Sequence, residues 1–144
     1  MINDLSLKQI LDCRFEYEMN ILQFICKEGS IECLRALTEK VPLAQKKELA
    51  GFRDQHLGSQ AIHLAASSGN LKMIEILVKL YEADCKETTL SGQTVYHCAA
   101  LKYNGIACIF LFRQKYALDT ICAYDVKQAS PLHFAVTCLM IKNV

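Results

Sequence analysis

The 144-residue chain contains no tryptophan and only two prolines, and its charges nearly cancel. Sixteen Lys and Arg stand against fifteen Asp and Glu, for a formal net charge of +1. No basic run is long, so neither nucleic acid nor an anionic membrane surface is expected as a partner. The longest uncharged apolar stretches, 106–112 and 134–141, fall far short of the roughly 20 residues that a membrane-spanning helix needs. The opening Met1-Ile2-Asn3-Asp4 lacks the positive segment and long apolar core of a secretory signal. A cytoplasmic setting is therefore expected, with the nucleus possible. The chain also has no Gly-rich phosphate loop, no H-E-x-x-H and no G-x-S-x-G. Its acidic residues are scattered and offer no acid–base pair. No catalytic, cofactor-binding or metal residue, and no small-molecule substrate, is expected.

Cysteine is plentiful by contrast, at Cys13, Cys26, Cys33, Cys85, Cys98, Cys108, Cys122 and Cys138. No two form a C-x-x-C pair, so the strongest zinc and redox spacing is missing. Disulfides are not expected in a reducing compartment. Free cysteine packs as a small hydrophobe, and core filling is the expected role.

One short phrase recurs. It reads Gln60-Ala61-Ile62-His63-Leu64-Ala65-Ala66, then Thr94-Val95-Tyr96-His97-Cys98-Ala99-Ala100, then Ser130-Pro131-Leu132-His133-Phe134-Ala135. Asn20-Ile21-Leu22-Gln23-Phe24-Ile25-Cys26 is a worn copy. The markers Gln23, His63, His97 and His133 stand 40, 34 and 36 residues apart. A recurring unit of this size means a repeat array.

The phrase resembles the ankyrin repeat, whose signature is close to T-P-L-H-x-A on a period of about 33. The likeness continues through Gly69-Asn70-Leu71-Lys72-Met73-Ile74-Glu75-Ile76-Leu77 and Gly29-Ser30-Ile31-Glu32-Cys33-Leu34. It covers roughly residues 18–144. It implies an all-α solenoid of stacked helix-turn-helix units joined by short hairpin-like loops. On this reading residues 1–17 are a capping helix or degenerate repeat. Repeat 1 with an extended connector spans 18–57, repeat 2 spans 58–91, repeat 3 spans 92–127, and 128–144 is a truncated repeat 4. In this alignment Cys26, Cys98 and Cys33 replace an alanine, a leucine and a valine of the repeat.

The residues support the same shape independently. Asn20, Thr94 and Ser130 are N-cap types, and Pro131 suits the first helical turn. Gly29 and Gly69 can take the left-handed conformation that ends a helix. Leu71, Ile74, Leu77 and Val78 share one face of an amphipathic helix, with Lys72, Glu75 and Lys79 on the other. Helices are predicted near 5–12, 21–27, 31–39, 61–68, 71–81, 95–102, 106–116 and 131–138. The long first interval leaves room for an extra helix after Pro42, with Pro42 at its first position. In the third copy Tyr103-Asn104-Gly105 makes the inter-helix turn one residue longer. The fourth copy is expected to stop about one turn into its second helix, which leaves Phe134, Val136, Met140 and Ile141 without cover.

His63, His97 and His133 fall at one position per unit. Stacked helices lie about 8–10 Å apart, too wide for two histidines to reach one zinc at about 2.0–2.1 Å. The resemblance implies that they tie their own turn to a neighbouring one by hydrogen bonds.

The resemblance also implies a protein-interaction module with a partner of unknown identity. Its concave face would be built from loop tips and the exposed side of the first helices. From the helices it should include Ser67, Ser68, Leu101, Lys102, Tyr103 and Thr137. From the connectors it should include Leu90, Ser91 and Gln93, then Val126, Lys127 and Gln128. Leu90, Leu101 and Tyr103 are the apolar and aromatic members that can anchor an interface. The chain is expected to be monomeric unless the truncated C-terminal end self-associates. The alternative reading is the amino-terminal ankyrin region of a larger membrane protein, such as an Asp-His-His-Cys palmitoyltransferase or an ion channel.

Overall fold

Each copy of the phrase opens a helix. The structure, a computed structural model, describes residues 6–101 and 105–142. Among the described residues it contains nine α-helices and no strand. They are α1 (Leu7–Asp12), α2 (Ile21–Glu28), α3 (Ile31–Lys40), α4 (Leu43–Gly51), α5 (Ala61–Ser68), α6 (Leu71–Leu80), α7 (Val95–Ala100), α8 (Gly105–Arg113) and α9 (Pro131–Lys142). The pairs α2–α3, α5–α6 and α7–α8 are helix-turn-helix units, and α9 opens a fourth. The first helices form one layer, with α2 on α5, α5 on α7 and α7 on α9, while α3 packs on α6 in the second layer.

Local chemistry sets the boundaries. The Asn20 side chain accepts from the Gln23 N–H at 2.9 Å, and Gln23 Oε1 accepts from the Asn20 N–H at 2.9 Å. This reciprocal pair satisfies two helix-start donors that would otherwise be orphaned. Ser30 and Asn70 cap α3 and α6 in turn. Gly29 and Gly69 end α2 and α5 with φ of +74° each, the left-handed region where a Cβ is costly. In α6, Met73, Ile74 and Leu77 are buried, while Lys72 and Lys79 flank Glu75 at 3.4 and 2.7 Å on the solvent side. Leu71 and Val78 are only half-buried, so Met73 completes the core stripe instead.

Several expectations need correction. The inserted helix α4 is present, but Pro42 is its N-cap with ψ of 151° and not its first helical residue. Helix α8 ends at Arg113, short of 116. Lys115 turns left-handed with φ of 57°, and the Tyr116 N–H reaches back to Leu111 O while the Lys115 N–H reaches Phe112 O. That crossed pair is a Schellman stop, here made without glycine. α9 runs unbroken to Lys142, so no turn separates a first helix from the start of a second. Residues 103–104 of the longer turn lie outside the described residues, as do the side chains of Met140 and Ile141. The N-terminal helix α1 lies across a cleft from α4, and Leu7, Leu11, Gln45, Glu48, Leu49 and Phe52 are among the residues facing that cleft.

The core runs continuously through the units, from Leu22 and Leu34 through Ile62, Met73 and Ile74 to Tyr96 and Leu111. Cys26, Cys85 and Cys98 lie inside it. Cys33 does not. It is exposed on α3, because the buried stripe of that helix passes through Leu34 and Leu37 instead.

Candidate interaction surface

Four short loops precede the four first helices, and they share one geometry. Each closes on itself by a backbone bond: Phe15 N–H to Met19 O at 2.9 Å, Asp54 to Ser59 at 3.1 Å, Thr89 to Gln93 at 3.0 Å and Asp125 to Ala129 at 2.9 Å. The residue before each closing carbonyl is left-handed: Glu18, Gly58, Gly92 and Gln128, with φ of 58°, 63°, 73° and 60°. The loops also bond to one another. Gln55 N–H donates to Tyr17 O at 3.0 Å, Leu90 N–H to Leu57 O at 2.9 Å and Val126 N–H to Ser91 O at 2.9 Å. The result is a row of fingers in fixed register.

Buried polar side chains hold the fingers in shape. Asp54 accepts from the N–H groups of His56, Leu57 and Ser59 at 2.8, 2.8 and 3.2 Å. Asp125 accepts from Lys127 and Ala129 at 2.9 Å each. Thr89 Oγ1 takes the Gln93 N–H at 3.2 Å. A carboxylate receiving several backbone N–H groups is a strong, charge-assisted arrangement.

The marker residues tie the second and fourth fingers, and the turn just before the third, to the helix that precedes them. Gln23 Nε2 donates to Ser59 O at 2.7 Å and to Phe52 O at 3.1 Å. His63 Nδ1 accepts from the Gln60 N–H at 3.1 Å, which leaves Nε2 to donate to Glu87 O at 2.9 Å. His97 does the same with the Thr94 N–H at 3.1 Å and Ala129 O at 2.9 Å. Burial pushes the His63 imidazole down to about 4, so at neutral pH it is an uncharged link. His133 accepts from the Ser130 N–H at 3.1 Å, but it is exposed and no acceptor for its Nε2 lies among the described residues.

Where the first two fingers meet α2 and α5 there is a hollow of about 210 Å³. Tyr17, Met19, Leu57 and Leu64 give its apolar walls, and Lys27 and His56 border it. The Tyr17 and His56 rings stack across neighbouring fingers with centroids 4.5 Å apart. Lys27 Nζ sits 2.7 Å from Glu16 Oε2 at the rim.

Of the residues expected on this face, Ser67 and Ser68 line the hollow, the first half-buried and the second exposed. Leu90, Leu101, Val126, Lys127, Gln128 and Thr137 are exposed, while Ser91 and Gln93 are half-buried. Leu101 stands at the end of α7 and Thr137 on α9, the others lie along the third and fourth fingers, and none lines the hollow. Lys102 and Tyr103 lie outside the described residues. Sequence reasoning missed Tyr17, His56, Leu57 and Leu64. The signal was positional, since Tyr17 and Leu57 hold the same finger position as Ser91. The first finger has no glycine and the second carries one extra residue, which hid the match.

Among the described residues no three His, Cys, Asp or Glu side chains are grouped to hold a metal ion, and no helix is long and apolar enough to cross a membrane. A family model described as ankyrin repeats (3 copies) matches residues 2–89, 41–116 and 62–144. The chain belongs to the ankyrin repeat family. A search of the curated proteins finds no match. Ankyrin repeats are generally protein–protein interaction modules and are generally non-catalytic. The helix pairs, fingers and histidine links described above are the parts of such an array. The inserted α4 is this chain's departure from the regular ankyrin period.

Proposed function

We propose that this chain is a non-catalytic interaction module that receives a protein partner on the finger and first-helix face. The observation that carries the reading is the hollow at the first two fingers. Tyr17, Met19, Leu57 and Leu64 give it apolar walls, and the exposed, stacked Tyr17 and His56 rings stand at its edge. Buried apolar anchors seated in such pockets dominate the affinity of protein interfaces. The fingers are held by backbone bonds and buried acids, so little ordering cost is left for binding. The arrangement supports a scaffold or adaptor role. A cytosolic or nuclear setting suits the buried free thiols of Cys26, Cys85 and Cys98.

The test is a paired set of variants. Leu57→Asp and Tyr17→Asp, at side chains that are exposed, should abolish capture of a partner that the unchanged chain retains, with melting temperatures that shift little. Lys79→Glu, on the solvent side of α6, should leave capture intact. Loss of binding with Lys79→Glu but not with the hollow variants would overturn the assignment.

A further inference from the structure

The second helices share one register, and α8 fills it differently. Leu37, Leu77 and Leu111 are buried at matching places in α3, α6 and α8. The residues five before, two before and two after each leucine fall on one side of the helix. In α3 that line is Glu32, Arg35 and Glu39, in α6 it is Lys72, Glu75 and Lys79, and none of these is buried. In α8 it is Ile106, Ile109 and Arg113. Ile106 is 72% exposed and Ile109 55%, and Phe112, three residues past Ile109, is 56% exposed. Two aliphatic side chains thus stand on the outer side where the equivalent helices carry charge.

Stacking between units does not account for them. Helix α3 has α6 packed against it, yet Glu32, Arg35 and Glu39 remain exposed. A helix stacked beside α8 in the same way would leave Ile106 and Ile109 facing outward.

The surrounding charge selects the occupant. From Thr88 to Leu118 the chain has no acidic residue, whereas Lys102, Arg113 and Lys115 fall within that stretch. Arg113 and Lys115 are exposed at the C-terminal end of α8. The first acid beyond, Asp119, is held by Lys86 at 3.0 Å. On α6, Lys72 and Lys79 share the single carboxylate of Glu75, so that line is also positive. The whole-chain charge of +1 averages this local excess away. Two copies meeting through α8 would bring like charges together, so the occupant is anionic. The apolar side chains protrude from one helix. Protruding side chains suit a fluid acyl boundary, which needs no matching pocket, better than a protein surface, where anchors need one.

We propose that the outer side of α8 is a peripheral docking face for an anionic lipid surface. Ile106, Ile109 and Phe112 enter the boundary between headgroups and acyl chains, and Arg113 and Lys115 lie among the acidic headgroups. The face belongs to the layer of second helices and shares no residue with the hollow, so it is independent of partner binding there.

Co-sedimentation of the full chain with vesicles tests this. The chain should bind vesicles made of equal parts phosphatidylcholine and phosphatidylserine, should release as salt is added, and should not bind phosphatidylcholine alone. The double variant Ile106→Lys/Ile109→Glu gives α8 the outer residues that α6 carries at those places and leaves the net charge unchanged. It should abolish binding while keeping the melting temperature. Arg113→Gln/Lys115→Gln should weaken binding by about 30-fold, since each cation near an anionic surface is worth about fivefold. Leu57→Asp, in the hollow, should bind vesicles as the unchanged chain does. A chain that ignores the anionic vesicles overturns the proposal, as does binding that survives Ile106→Lys/Ile109→Glu or that is equally strong on phosphatidylcholine alone. A chain that ignores vesicles but binds a synthetic acidic amphipathic helix, and loses it in Ile106→Lys/Ile109→Glu, would make the face a protein contact and refute the lipid assignment.

Discussion

The imidazole of His97 donates through Nε2 to the carbonyl oxygen of Ala129 at 2.9 Å, 32 residues further along the chain. That bond joins the start of one unit to the finger of the next. His133 holds the same place in its unit and makes the same contact to its own cap, yet no long-range acceptor for it lies among the described residues. The pair gives an internal comparison of one marker with its long-range partner and one without.

His97→Ala should therefore destabilise the fold by about 1–3 kcal/mol, the cost of leaving a buried hydrogen-bond partner unsatisfied. His133→Ala should leave the urea midpoint close to that of the unchanged chain. Equal midpoints for the two variants would contradict the assigned link.

Stability should fall in mild acid because of His63. Its folded pKa is held down to about 4 by burial, against an ordinary value of 6.5. Between these values the unfolded chain binds more protons, so stability rises with pH in that window and is lost as pH drops through it. At pH 5 the loss from this group should approach about 2 kcal/mol. His63→Gln copies the solution used at Gln23, with a donor and an acceptor and no titration. It should keep the midpoint at pH 7 and flatten the decline between pH 7 and 5. Urea melts across that range measure both.

Gln128 occupies the left-handed position that glycine holds in the second and third fingers. A left-handed residue with a Cβ costs roughly 1–2 kcal/mol, partly offset by the greater freedom of glycine in the unfolded chain. Gln128→Gly should stabilise by about 0.5–1 kcal/mol. Gly92→Ala should do the opposite, since its new Cβ would stand 3.3 Å from the Val126 nitrogen, where the third finger supports the fourth. Thermal melts of the two variants should shift in opposite directions.

Thiol labelling should divide the cysteines by burial. Cys13, Cys33 and Cys122 are exposed and should react quickly in the native chain. Cys26, Cys85 and Cys98 are buried, with burial pushing each thiol up to about 12, and should react only on unfolding. Mass spectrometry of peptides after a short pulse reads each site. Rapid labelling at Cys26 would show that the first unit opens.

Much of this fold was written in local sequence. The period placed the first helices. Asn20, Gly29 and Gly69 placed helix ends, because caps and left-handed stops depend on a residue and its near neighbours. The stop of α8 at Arg113 was less legible, since Lys115 takes a left-handed turn that its side chain disfavours. The hollow was hidden for a different reason. Tyr17 and Leu57 come together only because two fingers, 40 residues apart in the first interval, lock in register through Gln55 and Tyr17.

By itself, the sequence determined the repeat, the helix pairs and the marker at each unit, since all three follow from spacing and local chemistry. Only the tertiary structure decided what each equivalent residue became. Leu22, Ile62 and Tyr96 are core and Leu132 is surface, although all four follow the same cap at the same distance. His97 is a buried link, whereas His133 is exposed. The physical reason is that burial and long-range hydrogen bonding belong to the junction between units. A residue's own neighbours in sequence cannot supply the unit that stacks against it.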